Sequence, residues 1–381
     1  MGEPDDGSRA VLRAVAVAAA ALAGFLFSLT PIATRLDAAV LDTSWRVLRK
    51  IDKRPSPDEM IIVGIDPATV NAITEPPGLW HEPLARALAR IAATRPAAIA
   101  LDFPLPERSF DTVRPGLDRA LFAGLATAVE STKFVTVLNI DARTRGARRI
   151  HTPYLALLGE SRLGIGLLAR DADNVVRRFS LAIPTEDGTF PTLEGRLCRA
   201  LNRQCSDGLV NYALGAPLTY VSMKTVLESR DDALVARLLG GRIVLIGETQ
   251  PYSDRVAVPV NLAAWEPMER ESPAIVVHAQ ALRTALARAA PEDASRPLLM
   301  LLLTAAGLLV LVRDWRHALA WAVLVTALLL AGNVAALRGG IALAPSAVVF
   351  ALWTAAALCA FLAWRQRAKL PQAGPNFPHS A

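Results

Sequence analysis

Charged residues and cysteines are scarce in this chain of 381 residues. Charged residues make up 20% of the chain and apolar residues 52%, whereas an average soluble domain has roughly 25% charged residues. Intrinsic disorder requires the opposite balance of charge and hydrophobicity, so it is excluded as the main state. Three cysteines in a chain of this length also exclude a small disulfide-stabilised scaffold.

The signatures of common metal and nucleotide sites are also missing. The five histidines show no HxxxH or HExxH spacing, and the cysteines form no CxxC pair. There is no GxSxG, GxxxxGK[ST] or protein kinase signature. Because a metal site needs three or four ligands in matching geometry, we expect no metal, no cofactor and no catalytic activity in this chain.

Apolar residues are concentrated near the two ends of the chain. Four runs contain no charged residue: 14–34, 297–312, 318–337 and 341–364. About 20 apolar residues span a bilayer, so these runs predict an all-α membrane part of four transmembrane helices. The first run is longer than the apolar core of a signal peptide, which favours an uncleaved signal anchor, although a cleaved signal peptide remains an alternative.

Basic residues in the short loops predict the orientation of these helices. Arg313 and Arg316 separate the second and third runs, three basic residues follow the fourth run, and only Arg338 separates the third from the fourth. Basic loops stay in the cytoplasm, which predicts a multi-pass membrane protein with both termini in the cytoplasm. The expected segments are a cytoplasmic N-terminus (1–13), an external domain (35–296) and a short cytoplasmic tail (365–381).

The net charge of +6 does not indicate nucleic-acid binding. The predicted cytoplasmic segments and the short loops carry +4 of this charge, which leaves only +2 for residues 35–296. A nucleic-acid-binding domain needs a concentrated basic surface. We therefore expect the lipid bilayer, and no nucleic acid, as a partner.

The predicted external domain alternates between strand-like and helix-like segments. Short β-branched runs predict buried strands, and apolar residues at helical spacing predict helices between them. The predicted strands are 60–66, 97–103, 134–140 and 241–247, and the predicted helices are 82–94, 116–129, 191–201 and 274–287. This order predicts an α/β domain with a mixed, largely parallel sheet flanked by helices. We also expect an antiparallel hairpin from 163–168 and 175–184.

Three aspartates follow predicted strands. Asp66 and Asp102 end two of the parallel strands, and Asp254 follows the strand at 241–247. Ligands of open α/β sheets bind at the carboxyl ends of the strands, so these residues are candidate ligands for a cation or a polar small molecule. The alternative is that they cap helices and turns.

His278 and Arg177 are two further candidates for ligand binding. His278 lies early in the predicted helix 274–287, where the alternative is a buried, hydrogen-bonded histidine packed between helix and sheet. Arg177 and Arg178 point to opposite faces of a predicted strand, so one of them can pair with Asp173 while the other faces a ligand or solvent. Both alternatives remain open from the sequence.

Two cysteines lie close together in the predicted external domain. Cys198 falls on the predicted helix 191–201, and Cys205 lies just beyond its end. An oxidising compartment permits a bridge between them, but the sequence does not supply the required separation of the two Cα atoms. Cys359 lies in a predicted membrane helix and is expected to stay reduced.

Several motifs together resemble the type-2 CHASE domain, an extracellular sensor of bacterial membrane receptors. A strand ends in Ile65-Asp66, and another ends in Asp102 followed by Phe103. Residues 166–178 resemble the family's Gly…Asp-x-Asp-Gly-x-x-Arg-Arg stretch, with Asn174 in place of the usual glycine. Residues 241–279 resemble its late motif, which ends in His-Ala. The resemblance covers about residues 35–290.

One departure from the family pattern precedes the first helix of the domain. The family usually has Pro-Trp-Pro-Arg there, whereas this chain has Trp80, His81, Glu82 and Pro83, with Leu84 where the arginine would stand. The resemblance implies a multi-pass sensor of a bacterial inner membrane, whose external domain (35–296) lies in the periplasm or outside the cell. This domain would detect a small molecule or an envelope signal. The departure leaves the identity of that signal open.

Three functions remain in contention. The resemblance favours a sensor that passes its signal to a second copy of the chain or to a separate cytoplasmic output protein, because only 17 residues follow Trp364. An envelope hydrolase using Asp66, Asp102 and His278 is the first alternative, and a structural membrane scaffold is the second. If the signal passes to a second copy, small residues in the predicted spans, including Gly24 and Gly307, would form the contacts between the copies.

Overall fold

The computed structural model describes residues 6–52, 60–141, 143–268, 270–312 and 314–368. They form two compact units. The sheet unit is Trp45–Pro291, and the helical unit combines Met1–Ser44 with Glu292–Ala381. Arg313 and parts of the predicted terminal segments 1–13 and 365–381 lie outside the described residues.

Thirteen α-helices and fourteen strands are present in the described ranges. The helices are α1 (Asp6–Ser28), α2 (Pro31–Ile51), α3 (Pro67–Ala72), α4 (His81–Ala93), α5 (Leu117–Ser131), α6 (Thr152–Leu158), α7 (Leu193–Ala200), α8 (Met223–Glu228), α9 (Asp232–Leu239), α10 (Ala274–Leu286), α11 (Arg296–Gly307), α12 (Trp315–Arg338) and α13 (Ser346–Ala368). The strands are β1 (Met60–Ile65), β2 (Ala98–Leu101), β3 (Lys133–Leu138), β4 (Leu163–Ile165), β5 (Arg178–Phe179), β6 (Ala182–Thr185), β7 (Gly188–Pro191), β8 (Gly208–Leu209), β9 (Tyr220–Ser222), β10 (Ile243–Glu248), β11 (Arg255–Ala257), β12 (Glu271–Pro273), β13 (Glu292–Asp293) and β14 (Ile341–Ala342).

A six-stranded parallel sheet forms the centre of the sheet unit. Its strand order is β4-β3-β2-β10-β1-β9, and every neighbouring pair is parallel. The predicted α/β class with a largely parallel sheet is therefore confirmed. All six strands point in the same direction, so their carboxyl ends lie along one edge of the sheet.

Helices cover both faces of this sheet. Leu88 of α4 and Leu125 of α5 are fully buried in one apolar cluster with Val63 and Ile246 of the strands. On the opposite face, α10 contacts β10 and β1, and α7 contacts β3 and β4. A buried strand covered on both faces reads as a continuous apolar run, and all six residues of β1 are buried.

The predicted hairpin between 163–168 and 175–184 is wrong. Residues of β4 pair in parallel with β3, at the edge of the main sheet. The second segment is divided between β5, which pairs with β8, and β6, which pairs with β7. A strand of three residues has little pairing specificity of its own, so contacts distant in sequence determine its partner.

Three helices of the described chain are long and apolar enough to cross a membrane. They are the segments Val11–Ser28, Trp315–Arg338 and Ser346–Arg365. The predicted span at 297–312 corresponds to the shorter α11, continued by a 3-10 segment at Leu308–Leu311. Four spans were predicted, and the length criterion supports three of them.

The first predicted span ends earlier than 34. Helix α1 stops at Ser28, and α2 begins at Pro31. Proline has no N–H to donate and is favoured in the first turn of a helix. The Thr30 hydroxyl accepts a hydrogen bond from the Ala33 N–H at 3.2 Å, which caps the new helix. The last span also starts later than 341, because Ile341–Ala342 pairs with β13.

Small residues pack the helices of the helical unit against one another. A Cβ added to Gly24 would lie 2.7 Å from Ala351 Cβ and 2.9 Å from the Ala347 carbonyl oxygen. A Cβ on Gly307 would lie 2.8 Å from the Val17 carbonyl oxygen. Both glycines are therefore enclosed within one chain, and the interpretation that they serve contacts between copies is wrong.

Candidate functional site

Acidic side chains gather at the carboxyl edge of the parallel sheet. Asp102 follows β2, Glu248 is the last residue of β10, and Asp254 lies in the loop that follows β10. Charge interactions connect the carboxylate of Asp102 with those of Asp254, Glu194 and Glu248. This is the edge at which open α/β sheets bind ligands.

A buried ion pair lies under this edge. His278 Nδ1 of α10 is 2.6 Å from Glu194 Oε1 of α7. The two side chains are only 1% and 3% exposed. Glu194 sits in the first turn of its helix, where the helix dipole favours a negative charge. The pair joins the two helices that cover this face of the sheet.

His278 carries a proton that its surroundings stabilise. Burial lowers the pKa of the imidazole, but the charges of Glu194, Asp102 and Asp254 and the hydrogen bond to Glu194 raise it more strongly, to about 9. The ring is therefore an imidazolium at neutral pH. Its Nε2 is buried and makes no hydrogen bond with the described residues. One N–H donor of the cluster thus remains unused.

Asp102 has an unused acceptor. Its Oδ2 is buried and makes no hydrogen bond with the described residues. Burial raises the pKa of this carboxyl, His278 lowers it, and the carboxylates of Asp254 and Glu194 raise it again, to about 6 overall. A Cβ on Gly166 would lie 3.2 Å from Asp102 Oδ1, so the absence of a side chain there leaves room for the carboxylate.

Asp254 completes the cluster from the loop after β10. Its backbone has a positive φ of 48°, and its carbonyl accepts a hydrogen bond from the Ala274 N–H at the start of α10. Surrounding protein atoms raise the pKa of its carboxyl although the residue as a whole is exposed, and His278 and Arg170 oppose this effect. Asp254 therefore connects the buried cluster with the surface.

Asp66 belongs to a different set of contacts. Its Oδ1 accepts hydrogen bonds from the Thr69 N–H, the Thr69 hydroxyl and the Ser222 hydroxyl at 2.6–2.8 Å. The Tyr220 hydroxyl donates to its Oδ2 at 3.2 Å. Asp66 therefore caps α3 and ties β9 to β1. Since β10 lies between β1 and β2, the backbones of Asp66 and Asp102 are about 10 Å apart, which is two interstrand spacings.

Arg177 is also held by other residues of the chain. Its guanidinium is 3% exposed and lies 2.8 Å from Asp171 Oδ2 and 2.7 Å from Asp173 Oδ2. The intervening turn contains Asn174 at a φ of +67°, a conformation that asparagine tolerates better than most residues. Arg177 closes this turn, so it is the one of the two arginines that pairs with Asp173.

A disulfide bond lies in the sheet unit. Cys198, in α7, is bonded to Cys205, and their Cα atoms are 6.3 Å apart. Cys359 of α13 is a free, buried thiol. Within the described ranges, no group of three or more histidine, cysteine or acidic side chains is arranged to hold a metal ion.

Sequence reasoning missed two members of the cluster. Glu248 ends a parallel strand and satisfies the same strand-end rule that selected Asp102. Glu194 follows Leu193 and precedes Leu197 on the buried side of a short helix, and a buried carboxylate there requires a charged or hydrogen-bonding partner. Its partner lies 84 residues away, so the sequence gives no local indication of the pair.

Comparison with known families identifies the chain. The profile of the CHASE2 domain family matches residues 15–328, more than half of the chain. The chain belongs to the CHASE2 family. CHASE2 domains are extracellular sensor domains, which agrees with the resemblance seen in the sequence. No curated protein and no solved structure matches this chain.

Proposed function

We propose that this CHASE2 protein is an integral membrane sensor whose sheet unit lies outside the cytoplasm and responds to a polar small molecule or an envelope signal. The observation that carries the proposal is the family match over residues 15–328. Apolar helices of the helical unit precede and follow the sheet unit along the chain. A domain inserted in this way is tethered to the membrane at both of its ends.

The side on which the chain leaves the membrane depends on the short segment Arg296–Leu311. Helix α11 rises about 18 Å over its 12 residues, and the 3-10 segment adds about 8 Å. The total of about 26 Å is close to the roughly 30 Å of a bilayer core. We propose that this segment crosses, which gives four spans and places the end of α13 in the cytoplasm.

Reporter fusions test this topology. Alkaline phosphatase, which is active only after export, would be fused after residues 291, 312 and 368 of the full chain. The proposal expects activity at 291 and none at 312 or 368, with a cytoplasm-active reporter giving the reverse pattern. An inactive fusion at 291 would refute the external placement. Activity at 312 would show that Arg296–Leu311 does not cross.

We further propose that Asp102, Asp254 and His278 bind the polar part of the signal. The support is that His278 Nε2 and Asp102 Oδ2 are buried and make no hydrogen bond with the described residues, and that the two residues interact through their charges. The cluster therefore offers one N–H donor and one carboxylate acceptor. A molecule with an acceptor and a donor close together, such as an amino acid, satisfies both groups. Asp66 and Arg177 would support the site indirectly, because their polar atoms already bond to other residues.

Thermal unfolding of the full chain in lipid nanodiscs tests this ligand class. A panel of free amino acids would be screened at pH 7.5, where Asp102 is ionised. At least one should raise the unfolding temperature of the wild type, since a ligand stabilises the state that it binds. The same compound should have no effect on Asp102→Asn. The control Asp232→Asn, an exposed carboxylate on α9, should respond like the wild type. A compound that stabilises all three proteins equally would refute the assignment.

The output step is assigned to a second copy of the chain or to a separate cytoplasmic protein. A signal that changes the separation of Trp45 and Pro291, the ends of the sheet unit, would move the helix that precedes Trp45 relative to the helix that follows Pro291. Such a shift requires a ligand with different affinity for the two states. Cross-linking of the full chain in native membranes, which should yield a dimer or a defined hetero-complex, tests this step, and a chain that remains monomeric and uncross-linked would refute it.

A further inference from the structure

A cavity of about 190 Å³ lies beside the start of α4. It is bordered by the segment before α4, the loop after β2, and the helices α4 and α5. Its principal lining residues are Trp80, His81, Leu84, Phe103, Phe110 and Leu121. Because Leu84 and Leu121 belong to the apolar cluster on the face covered by α4 and α5, the cavity is separated by the sheet from the His278–Glu194 pair.

The walls of this cavity are held by hydrogen bonds and ion pairs. The Trp80 indole N–H donates to the Glu75 carbonyl at 2.7 Å. The Phe110 N–H donates to Asp118 Oδ1 at 3.1 Å. Arg114, four residues after Phe110, lies 3.5 Å from a carboxylate oxygen of Glu75. The loop after β2 is thus fastened to the segment before α4, and a ligand would enter a cavity that is already formed.

One polar side chain of the lining has an unused atom. His81 is 3% exposed, and its Nε2 makes no hydrogen bond with the described residues. The nearest carboxylate oxygen, Asp118 Oδ1, is 3.8 Å away, which is beyond hydrogen-bond distance. The cavity therefore has aromatic and aliphatic walls, and one of its lining residues, His81, carries a buried nitrogen without a hydrogen bond to the described residues.

This nitrogen is an acceptor at neutral pH. Burial lowers the pKa of His81, although Asp118, Asp111 and a hydrogen bond to the Leu79 backbone oppose it. The imidazole is consequently neutral at pH 7. A backbone hydrogen bond that raises the pKa of an imidazole is one that the ring donates, so we assign the proton to the nitrogen facing Leu79. This leaves Nε2 with a lone pair.

We propose that the cavity binds a small aromatic molecule carrying one O–H or N–H donor, of a size between phenol and indole. An engineered apolar cavity of about 150 Å³ holds benzene, so the space here accommodates one ring and a polar substituent. The ring would lie among Trp80, Phe103 and Phe110, and the donor would bond to His81 Nε2. A water molecule needs two to four polar partners, which these walls do not provide. This site does not depend on the proposed Asp102–His278 site.

Two probes that differ in one hydrogen-bond donor test the proposal. The binding of 4-fluorophenol and 4-fluorotoluene to the full chain in lipid nanodiscs would be followed by fluorine NMR, with empty nanodiscs as the baseline. A cavity without an acceptor binds 4-fluorophenol more weakly than 4-fluorotoluene, because the phenol hydroxyl loses its hydrogen bonds to water and forms none in the cavity. We expect saturable binding, with the phenol at least as tight as the toluene.

Two histidine variants identify the acceptor. His81→Phe should lower the phenol-to-toluene affinity ratio about fivefold, the effect of one neutral hydrogen bond. His151→Phe is the matched control, because His151 Nε2 also lies near Asp118, at 3.7 Å, but does not line the cavity. Its ratio should equal that of the wild type. An unchanged ratio in His81→Phe would overturn the proposal. The proposal would also be overturned if the wild type bound neither probe saturably, or if it bound 4-fluorotoluene more tightly than 4-fluorophenol. Both of these results are read from the wild type and do not depend on the folding of the variants. The reporter fusions would be unaffected by either result.

Discussion

His278 and Glu194 form a buried ion pair at 2.6 Å between α10 and α7, although 84 residues separate them in the sequence. Breaking a buried pair by removing one partner leaves an uncompensated charge and costs about 3–5 kcal/mol. The pair therefore fixes two helices to each other and to the sheet. It also favours the positive charge of the imidazole ring, which interacts with the charges of Asp102 and Asp254.

The stability of the sheet unit should decrease as the pH rises above neutrality. The pKa of His278 is raised from 6.5 to about 9 in the folded state. A raised pKa contributes stability that is complete below pH 6.5 and is lost as the pH rises through 9. The loss should be about 3 kcal/mol. Denaturant unfolding at pH 6.5 and pH 9, followed by tryptophan fluorescence, measures it. The variant His278→Gln should lack this decrease, and a wild type with equal stability at both pH values would contradict the assignment.

Asp102 should act in the same direction at lower pH. The pKa of its carboxyl is raised from 3.8 to about 6, so its contribution is present below pH 4 and is lost as the pH rises through 6. Asp102→Asn cannot ionise and should remove this part of the pH dependence. The change in the free energy of unfolding between pH 4 and pH 6 would be measured in both proteins. If it is the same in the wild type and in Asp102→Asn, Asp102 is not the titrating group.

Glu194→Gln should lower the pKa of His278 by about 1–2 units, the typical effect of removing an adjacent opposite charge. Carbon-13 NMR of the labelled imidazoles in the full chain reports each of the five histidines. Glu130→Gln provides the control, since Glu130 is an exposed residue of α5 on the other face of the sheet. If the His278 titration moves equally in both variants, the proximity of Glu194 is not its cause.

The strands of the sheet were largely predictable, because buried parallel strands are continuous apolar runs. Segments 60–66 and 97–103 therefore closely match β1 and β2. Strand β9 was missed since it has only three half-buried residues, Tyr220–Ser222. Its position depends on pairing with β1 and on the Asp66 hydrogen bonds, which are contacts across more than 150 residues.

The candidate site was predictable only where topology alone brings residues together. Asp102 and Asp254 follow strands that are neighbours in the sheet, so the strand-end rule placed them correctly at one edge. The same rule selected Asp66, but capping of α3 directs its carboxylate to Thr69. Glu194 could not be found in this way, because its position relative to His278 depends on how two helices pack on the sheet.

The ion pairs of Arg177 should contribute measurably to stability. Replacing both Asp171 and Asp173 by asparagine leaves a guanidinium that is 3% exposed without its two carboxylates. We expect a loss of about 1–2 kcal/mol, less than for a fully buried pair because the carboxylates are about 40% exposed. Asp232→Asn, whose carboxylate is 90% exposed beside Arg90, should cost less than about 0.5 kcal/mol. Equal losses in denaturant unfolding would contradict a special role for Arg177.

Gly24→Ile should destabilise the packing of the helical unit within a single chain. The new side chain would collide with Ala351 and the Ala347 carbonyl, and overpacking of this kind costs about 1–3 kcal/mol. Gly332→Ile is the control, because nothing lies within 4 Å of a Cβ built there. Thermal unfolding in detergent should show a lower transition temperature for Gly24→Ile alone. A stable but monomeric Gly24→Ile would instead restore the view that Gly24 contacts a second copy.

The bond between Cys198 and Cys205 reports the compartment of the sheet unit. Disulfides persist in oxidising compartments and are rare in the cytosol. If the sheet unit is external, lysis of the cells in an alkylating reagent should modify this protein only at Cys359, the free cysteine of the structure. Alkylation after reduction should then add two further groups, which mass spectrometry counts. The variant Cys198→Ala provides the reference, since it leaves Cys205 free.

Removing the bond should also lower stability. Because seven positions separate the two cysteines, the closed loop is short and the chain-entropy contribution is about 2 kcal/mol. The double variant Cys198→Ala/Cys205→Ala should therefore unfold at lower denaturant concentration than the oxidised wild type and at the same concentration as the reduced wild type. That equality separates the effect of the bond from the loss of two side chains. Free thiols at both Cys198 and Cys205 in the protein from native membranes, with no change in stability on reduction, would contradict both the bond and the external placement that it supports.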